Sequence, residues 1–174
     1  MRLLSIDEKQ KYYGQFFQML SESDDDFVPP LSSRTTTRQE NLSSCEKNAD
    51  GIKSYLDFMM TQEILVKEED GQILGFVSFV ENYLSDVITE ETFPNIYVST
   101  LIVRKSARGM GLTKKMYDLL FNEMYKEKNI YTRTWSTNMA HIKILSFFGF
   151  NELLRKVNDR GEGIDTVYFV KKAL

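Results

Sequence analysis

A chain of 174 residues can bury a core without staples, and its formal charge of -3 argues against broad nucleic-acid binding, which needs a basic stripe. Cys45 and His141 are each alone of their kind, which rules out an intrachain disulfide framework and a zinc cage, so no metal is expected. Met1 to Ile6 run straight into Asp7-Glu8-Lys9, too short and polar for a secretory signal, and no apolar run reaches membrane-spanning length; the expectation is a soluble protein of the cytoplasm.

From Glu8 to Leu20, residues Tyr12, Tyr13, Phe16, Phe17, Met19 and Leu20 recur at helical spacing, and Asp24-Asp25-Asp26 with Pro29-Pro30 stop that helix. Leu31 to Asn48 read as a loop or broken helix over a cleft, and a second helix from about Asp50 to Met60 buries Ile52, Tyr55, Leu56 and Met59. Two β-rich runs, 63–67 and 73–80, flank Asp70-Gly71, a hairpin signal. A polar stretch from Glu81 to Thr92 leads to Ile96–Val103, apolar on both faces and therefore a central strand. Beyond the glycines a helix runs to about Lys126, and Ile130–Trp135 form a short strand. Thr137 or Asn138 caps a helix burying Ile142, Leu145 and Phe148, which Gly149 ends, and runs 150–157 and 164–170 close the chain as a hairpin. The order has no repeat or linker, so residues 1–174 form a single α/β domain with a mixed central sheet of six or seven strands flanked by about four helices.

Arg108-Gly109-Met110-Gly111-Leu112-Thr113 stand between a strand and a helix. Glycines let the backbone approach an anion while the first N–H groups of the helix point at it, and a diphosphate fits such a nest. Glycine can also serve such a turn for its geometry alone. The loop lacks the Gly-Lys-Ser/Thr of a P-loop and the three glycines of the dinucleotide fingerprint.

The loop does resemble motif A of the GNAT superfamily of acyl-CoA N-acyltransferases, with Arg108, Gly111 and Thr113 at the motif's places and Val103 closing the strand before them. Asn138, His141, Leu145, Gly149 and Phe150 stand at the spacing of the family's motif B, and Asp165 with Lys171-Lys172 resembles its ending. The similarity runs from Leu65 to the C-terminus. It implies a GNAT-like domain with a helical part, residues 1–60, over the acceptor side and a sheet core, residues 61–174, carrying the coenzyme motifs. It further implies acetyl-CoA as cosubstrate and direct attack by a primary amine of a small molecule, peptide or protein, in a ternary complex. The fourth strand would splay from its neighbour, so that backbone groups of Leu101, Ile102 and Val103 hold the pantetheine arm; Arg108, Gly109, Met110, Gly111, Leu112, Thr113 and Asn138 would complete the coenzyme site.

Leu145 departs from the family, whose usual tyrosine there protonates the leaving thiolate. His141 and Glu81 are the candidate bases, although His141 in a first helical turn also suits a ligand contact and Glu81 a solvated strand end. Tyr83, Tyr97, Tyr131 and Tyr168 would line an acceptor pocket, replace the missing acid, or pack. Asp24, Asp25, Asp26, Asp86, Glu90 and Glu91 tilt the acceptor toward an amine or polyamine, unless they are plain surface. No nucleic-acid or membrane partner is expected, and a homodimer stays open. A non-catalytic acyl-CoA sensor, or an interaction module with a structural glycine loop, are the competing readings.

Overall fold

A computed structural model describes residues 1–173. Its strands are β1 (Arg2–Leu3), β2 (Glu63–Glu69), β3 (Gln72–Glu81), β4 (Asn95–Val103), β5 (Asn129–Trp135), β6 (Asn151–Lys156) and β7 (Thr166–Lys171). They form one mixed sheet in the order β1-β2-β3-β4-β5-β7-β6, antiparallel throughout except for the β4–β5 pair. β1 was not anticipated, since a two-residue strand has no period to read.

The alternation of apolar residues explains why both faces are covered. Leu65, Val77 and Phe79 point into one core with Met116, Leu120 and Phe121, while their neighbours Ile64, Val66 and Phe76 point into another with Phe16, Tyr55 and Leu56. The first core lies under α3 (Leu112–Asp118) and α4 (Met139–Phe147), the second under α1 (Ile6–Glu22) and α2 (Gly51–Met59). Phe16 is fully buried and meets Phe76 edge to face, a burial worth roughly 2–3 kcal/mol. α1 begins before the aromatic stripe because Ser5 and Glu8 form a reciprocal capping box. The helix expected to reach Lys126 leaves α geometry at Leu119 and ends as a π-helical turn, Leu119–Met124.

Two details of β4 position the site. First, Ser78 opposes Thr100 and Phe79 opposes Val98, so Ser99 is an extra residue in β4. This bulge inverts the facing of the strand: Ile96 and Val98 enter the core under α3, whereas Thr100 and Ile102 turn toward α2, where Thr100 Oγ1 meets Tyr55 Oη at 2.8 Å. Second, β4 pairs with β5 only from Asn95–Val98 against Asn129–Thr132, while its ladder with β3 continues to Val103. The strands therefore part at Ser99. Residues 23–50 contain only short 3-10 turns and cover the sheet face that carries α1 and α2, tied down by bonds from Arg133, Arg160 and Tyr168.

Candidate active site

A cavity of about 530 Å³ occupies the opening between β4 and β5. One wall is Val98 to Val103 and the other Thr132 to Trp135; the glycine turn, the start of α3 and the face of α4 bearing Asn138, His141 and Ile144 close one side, and Ser23, Asp26 and Phe27 border it from the N-terminal segment. Leu101, Ile102, Val103, Arg108, Gly109, Gly111, Leu112, Thr113 and Asn138 all line it. Met110 does not; its side chain is exposed.

Backbone chemistry dominates one end. Between Ser99 and Val103 the groups that β4 would offer β5 have no strand partner, and the Val103 carbonyl accepts from Arg108 Nε at 3.3 Å. Gly109 and Gly111 have φ of +81° and +71°, and a Cβ on either would meet nothing within 4 Å, so both face open space. A left-handed turn with room beyond it suits close approach of a ligand to the chain. Arg108 also donates from Nη2 to Asp26 Oδ2 at 2.7 Å, an ion pair with both side chains about half exposed, at 47% and 45%. Such a pair is worth under about 1 kcal/mol and is easily exchanged for a ligand.

The profile of the Acetyltransferase (GNAT) family matches residues 20–150. The chain belongs to the GNAT acetyltransferase family. Among solved structures its fold is shared by the ribosomal-protein-alanine N-acetyltransferase from Brucella melitensis, with 15% identity, TM-score 0.65 and 98% of each chain covered. It is also shared by yncA from Salmonella typhimurium, solved with its cofactor acetyl-CoA, at 16% identity and TM-score 0.67 over 98% of this chain and 91% of that one. An N-acetyltransferase from Staphylococcus aureus Mu50 has 18% identity and TM-score 0.63 over 92% and 93%. Among curated proteins no sequence match is found.

Within the GNAT frame, α4 carries the departures. Leu145 is fully buried among the residues under α3 and does not line the cavity, so this position has no polar group to offer a leaving group. One turn earlier, His141 Nε2 meets Tyr117 Oη of α3 at 2.8 Å, and both residues line the cavity. Burial pushes the Tyr117 hydroxyl up and His141 down to about 4, so at neutral pH the phenol keeps its proton and the imidazole is uncharged. Asn138 is the N-cap of α4, accepting from the His141 N–H at 3.3 Å, and donates to Thr134 Oγ1 at 3.1 Å.

Glu81 lies outside this cavity. It borders a second cavity of about 350 Å³ with Arg38 and Gln62, and it accepts from Tyr125 Oη at 3.0 Å and from Lys128. Lys128 first, then Tyr125, hold its carboxyl below the usual range. Gln62 links the cavities, since Ser99 Oγ donates to Gln62 Oε1 at 2.6 Å. Tyr83, Tyr97 and Tyr131 pack together with Ile88 and Val170 rather than lining the large cavity, and Tyr168 Oη binds Arg133 and Glu40. Of the six acids expected to flank an acceptor, only Asp26 borders the cavity; Asp24 accepts from Ser32 and Asp25 from Lys47.

Sequence reading passed over Tyr117, Arg133, Trp135 and Phe27. Tyr117 follows Met116 in the apolar stripe of α3 and looks like core. Arg133 did leave a signal: alternation in β5 sets Tyr131, Arg133 and Trp135 on one face, and an arginine between two inward aromatics asks for a purpose.

Proposed function

We propose that this chain is an N-acetyltransferase that moves the acetyl group of acetyl-CoA to a primary amine by direct attack in a ternary complex. The observation that carries this reading is the meeting, in one cavity, of the unpaired edge of β4 with the left-handed glycine turn ahead of α3. Open space beyond both glycines and the weakly held Arg108 fit a diphosphate; the amide-like backbone from Leu101 to Val103 fits a pantetheine arm.

The coenzyme supplies the acetyl thioester, and this chain's residues do the rest. N–H groups of Gly109 and of Gly111 to Thr113, with Arg108, hold the diphosphate end, and Asn138 borders the arm. An N–H of the β4 edge polarises the carbonyl. As the amine's N–C bond forms and the C–S bond breaks, the nitrogen releases one proton and the sulfur takes one up. Tyr117 has its pKa pushed above that of an ordinary phenol, so it cannot fully protonate a thiolate of pKa about 8.5. In this reading it hydrogen-bonds the departing sulfur, oriented by His141, and water delivers the proton.

His141 at about 4 and Glu81, held low by Lys128, are both weak bases. The acceptor must therefore arrive as the free amine, with Glu81 taking its proton through solvent; the Gln62 link between the cavities supports that route. Accordingly kcat/KM rises with pH toward the acceptor's own pKa, without an inflection near neutrality. Calorimetry with acetyl-CoA, followed by thiol release across primary amines, tests the whole reading. Absence of binding at millimolar coenzyme would sink it. Binding without thiol release on any amine would favour the sensor reading, with which the burial of Leu145 is consistent.

A further inference from the structure

Three guanidinium groups gather on the sheet face opposite α3 and α4, beneath residues 27–40. Arg34 and Arg160 are each 6% exposed, and the side chain of Arg133 is 6% exposed. Arg34 donates from Nε and Nη2 to one acceptor, the Pro29 carbonyl, at 3.1 and 2.5 Å. Arg160 donates to Thr166 Oγ1 at 2.9 Å and to the Val28 carbonyl at 2.5 Å. Among the described residues neither has a carboxylate within ion-pair distance. Arg133 has one, Glu40 at 3.2 Å, which is itself 41% exposed and shared with Lys156 at 2.8 Å.

Guanidinium groups do not lose their protons in proteins, and buried charges are ordinarily paired. Here three positive charges are buried with one half-exposed carboxylate in ion-pair contact, already shared with a lysine, and a second, Asp159, that Arg160 reaches only through Thr166 Oγ1. Two of the three are driven down: burial first, then Arg34 and Arg133, pushes Arg160 to about 9, and burial lowers Arg34. At Arg133 burial is outweighed by Tyr97, Tyr168 and Glu40, which hold it above the ordinary value. Backbone carbonyls satisfy donor geometry, but they carry no charge.

The cluster adjoins the large cavity. Arg133, Trp135 and Phe27 line it; the Phe27 and Trp135 rings are in contact at 5.7 Å between centroids but tilted by 49°, Arg34 lies over the Phe27 ring and Arg160 over the Trp135 ring. Arg133 and Trp135 follow the point where β5 leaves β4, on the sheet face away from the glycine turn's helix. We propose that the acceptor amine also bears an oxyanion, a carboxylate or a phosphonate, which is received at Arg133 with Arg34 and Arg160 behind it. This rests on the acetyl-transfer reading and narrows its acceptor from any amine or polyamine to an amine of net neutral or negative charge. The tilted aromatic pair beside the guanidinium gives the rest of such a molecule an apolar wall.

The test sets amino acids and aminoalkylphosphonates against the uncharged amide or ester of each, using thiol release with saturating acetyl-CoA. The anionic member is expected to exceed its neutral partner in kcat/KM by at least about tenfold, the scale of a charge-assisted bond. Arg133→Gln should erase that advantage through KM while leaving the neutral partner's rate within about twofold, and Arg133→Lys should restore part of it. Neutral members that match or outrun the anionic ones, or an Arg133→Gln variant that slows both alike, would overturn the proposal. If the coenzyme binds and no amine reacts, or the coenzyme fails to bind, melting temperatures decide instead. A millimolar anionic acceptor should stabilise the wild type more than its amide does, and should not stabilise Arg133→Gln. Equal shifts would overturn the anion site, whatever becomes of the acetyl-transfer reading.

Discussion

At one end of the cavity the turn from Arg108 to Thr113 leads the chain from β4 into α3; at the other Arg133 lines the wall, and Arg34 and Arg160, from distant places in the chain, pack beside it. The first end works through backbone and needs only local conformation. The second works through side chains, each held by carbonyls of residues 28–39, so its geometry exists only once the covering segment has packed. A substitution at the glycine turn should therefore change coenzyme affinity with little else, whereas one among the arginines changes acceptor choice and stability together.

Gly111→Asp breaks the comparison hardest. Its φ of +71° costs an L-residue roughly 1–2 kcal/mol, less for Asp, and the new carboxylate points into open space where a diphosphate is proposed to sit. Acetyl-CoA affinity is expected to fall by about a hundredfold, near 2.7 kcal/mol, by calorimetry. Gly71, on the β2–β3 turn, has φ of +77° and equally open surroundings, so Gly71→Asp carries the same backbone cost and should leave affinity unchanged. Parallel losses in both variants would mean that the turn acts through stability alone.

The next effect is smaller and tests the departure in α4. Tyr117→Phe should lower kcat on the order of tenfold with KM for acetyl-CoA unmoved, and an unchanged kcat would remove Tyr117 from the reaction. His141 gives an independent check through pH. Its pKa is about 4 in the folded chain against an ordinary 6.5, so the unfolded chain binds the proton first as pH falls. The stability this neutral imidazole represents is complete above about pH 6.5 and is lost as pH drops toward 4, roughly 3 kcal/mol in all. Urea unfolding of His141→Gln should lack that loss between pH 7 and 4.5. A wild type and variant that decline in parallel would contradict a neutral His141 in the folded chain.

The same contrast explains what could be read before the fold was known. Arg108, Gly111 and Thr113 fall at fixed spacing because a turn into a helix is a local event, and Gly149 with φ of +80° ends α4 for the same reason. Asp70-Gly71 between two β-rich runs marked the β2–β3 hairpin, whereas the division of those strands between two cores is seen only in the fold. β1 escaped because its two residues are defined by pairing with Leu65 and Val66, not by pattern. The bulge at Ser99 escaped because an extra residue in an apolar run leaves no mark when both faces are buried. The aspartates at 24–26 suggested a cationic acceptor because charge can be counted in sequence while its partners cannot; Ser32, Lys47 and Arg108 take them up. Arg34 and Arg160 look like ordinary loop residues until residues 28–40 close over them.

Asp26 is where the two regions touch, and its substitution gives the smallest effect and the finest test. Its carboxylate belongs to the covering segment yet occupies Arg108, the cation of the glycine turn, at 2.7 Å. If a diphosphate takes Arg108, Asp26 is both a competitor for that cation and a like charge beside the ligand. Asp26→Asn removes both at the cost of an exposed pair worth under about 1 kcal/mol, so acetyl-CoA should bind about two- to fivefold tighter in low salt. Screening acts on the same charges, and the gain should shrink as ionic strength rises and the Debye length falls to about 8 Å at 0.15 M. Weaker binding in Asp26→Asn would reverse the assignment: Asp26 would then hold Arg108 in place for the ligand, and the covering segment would be part of the coenzyme site.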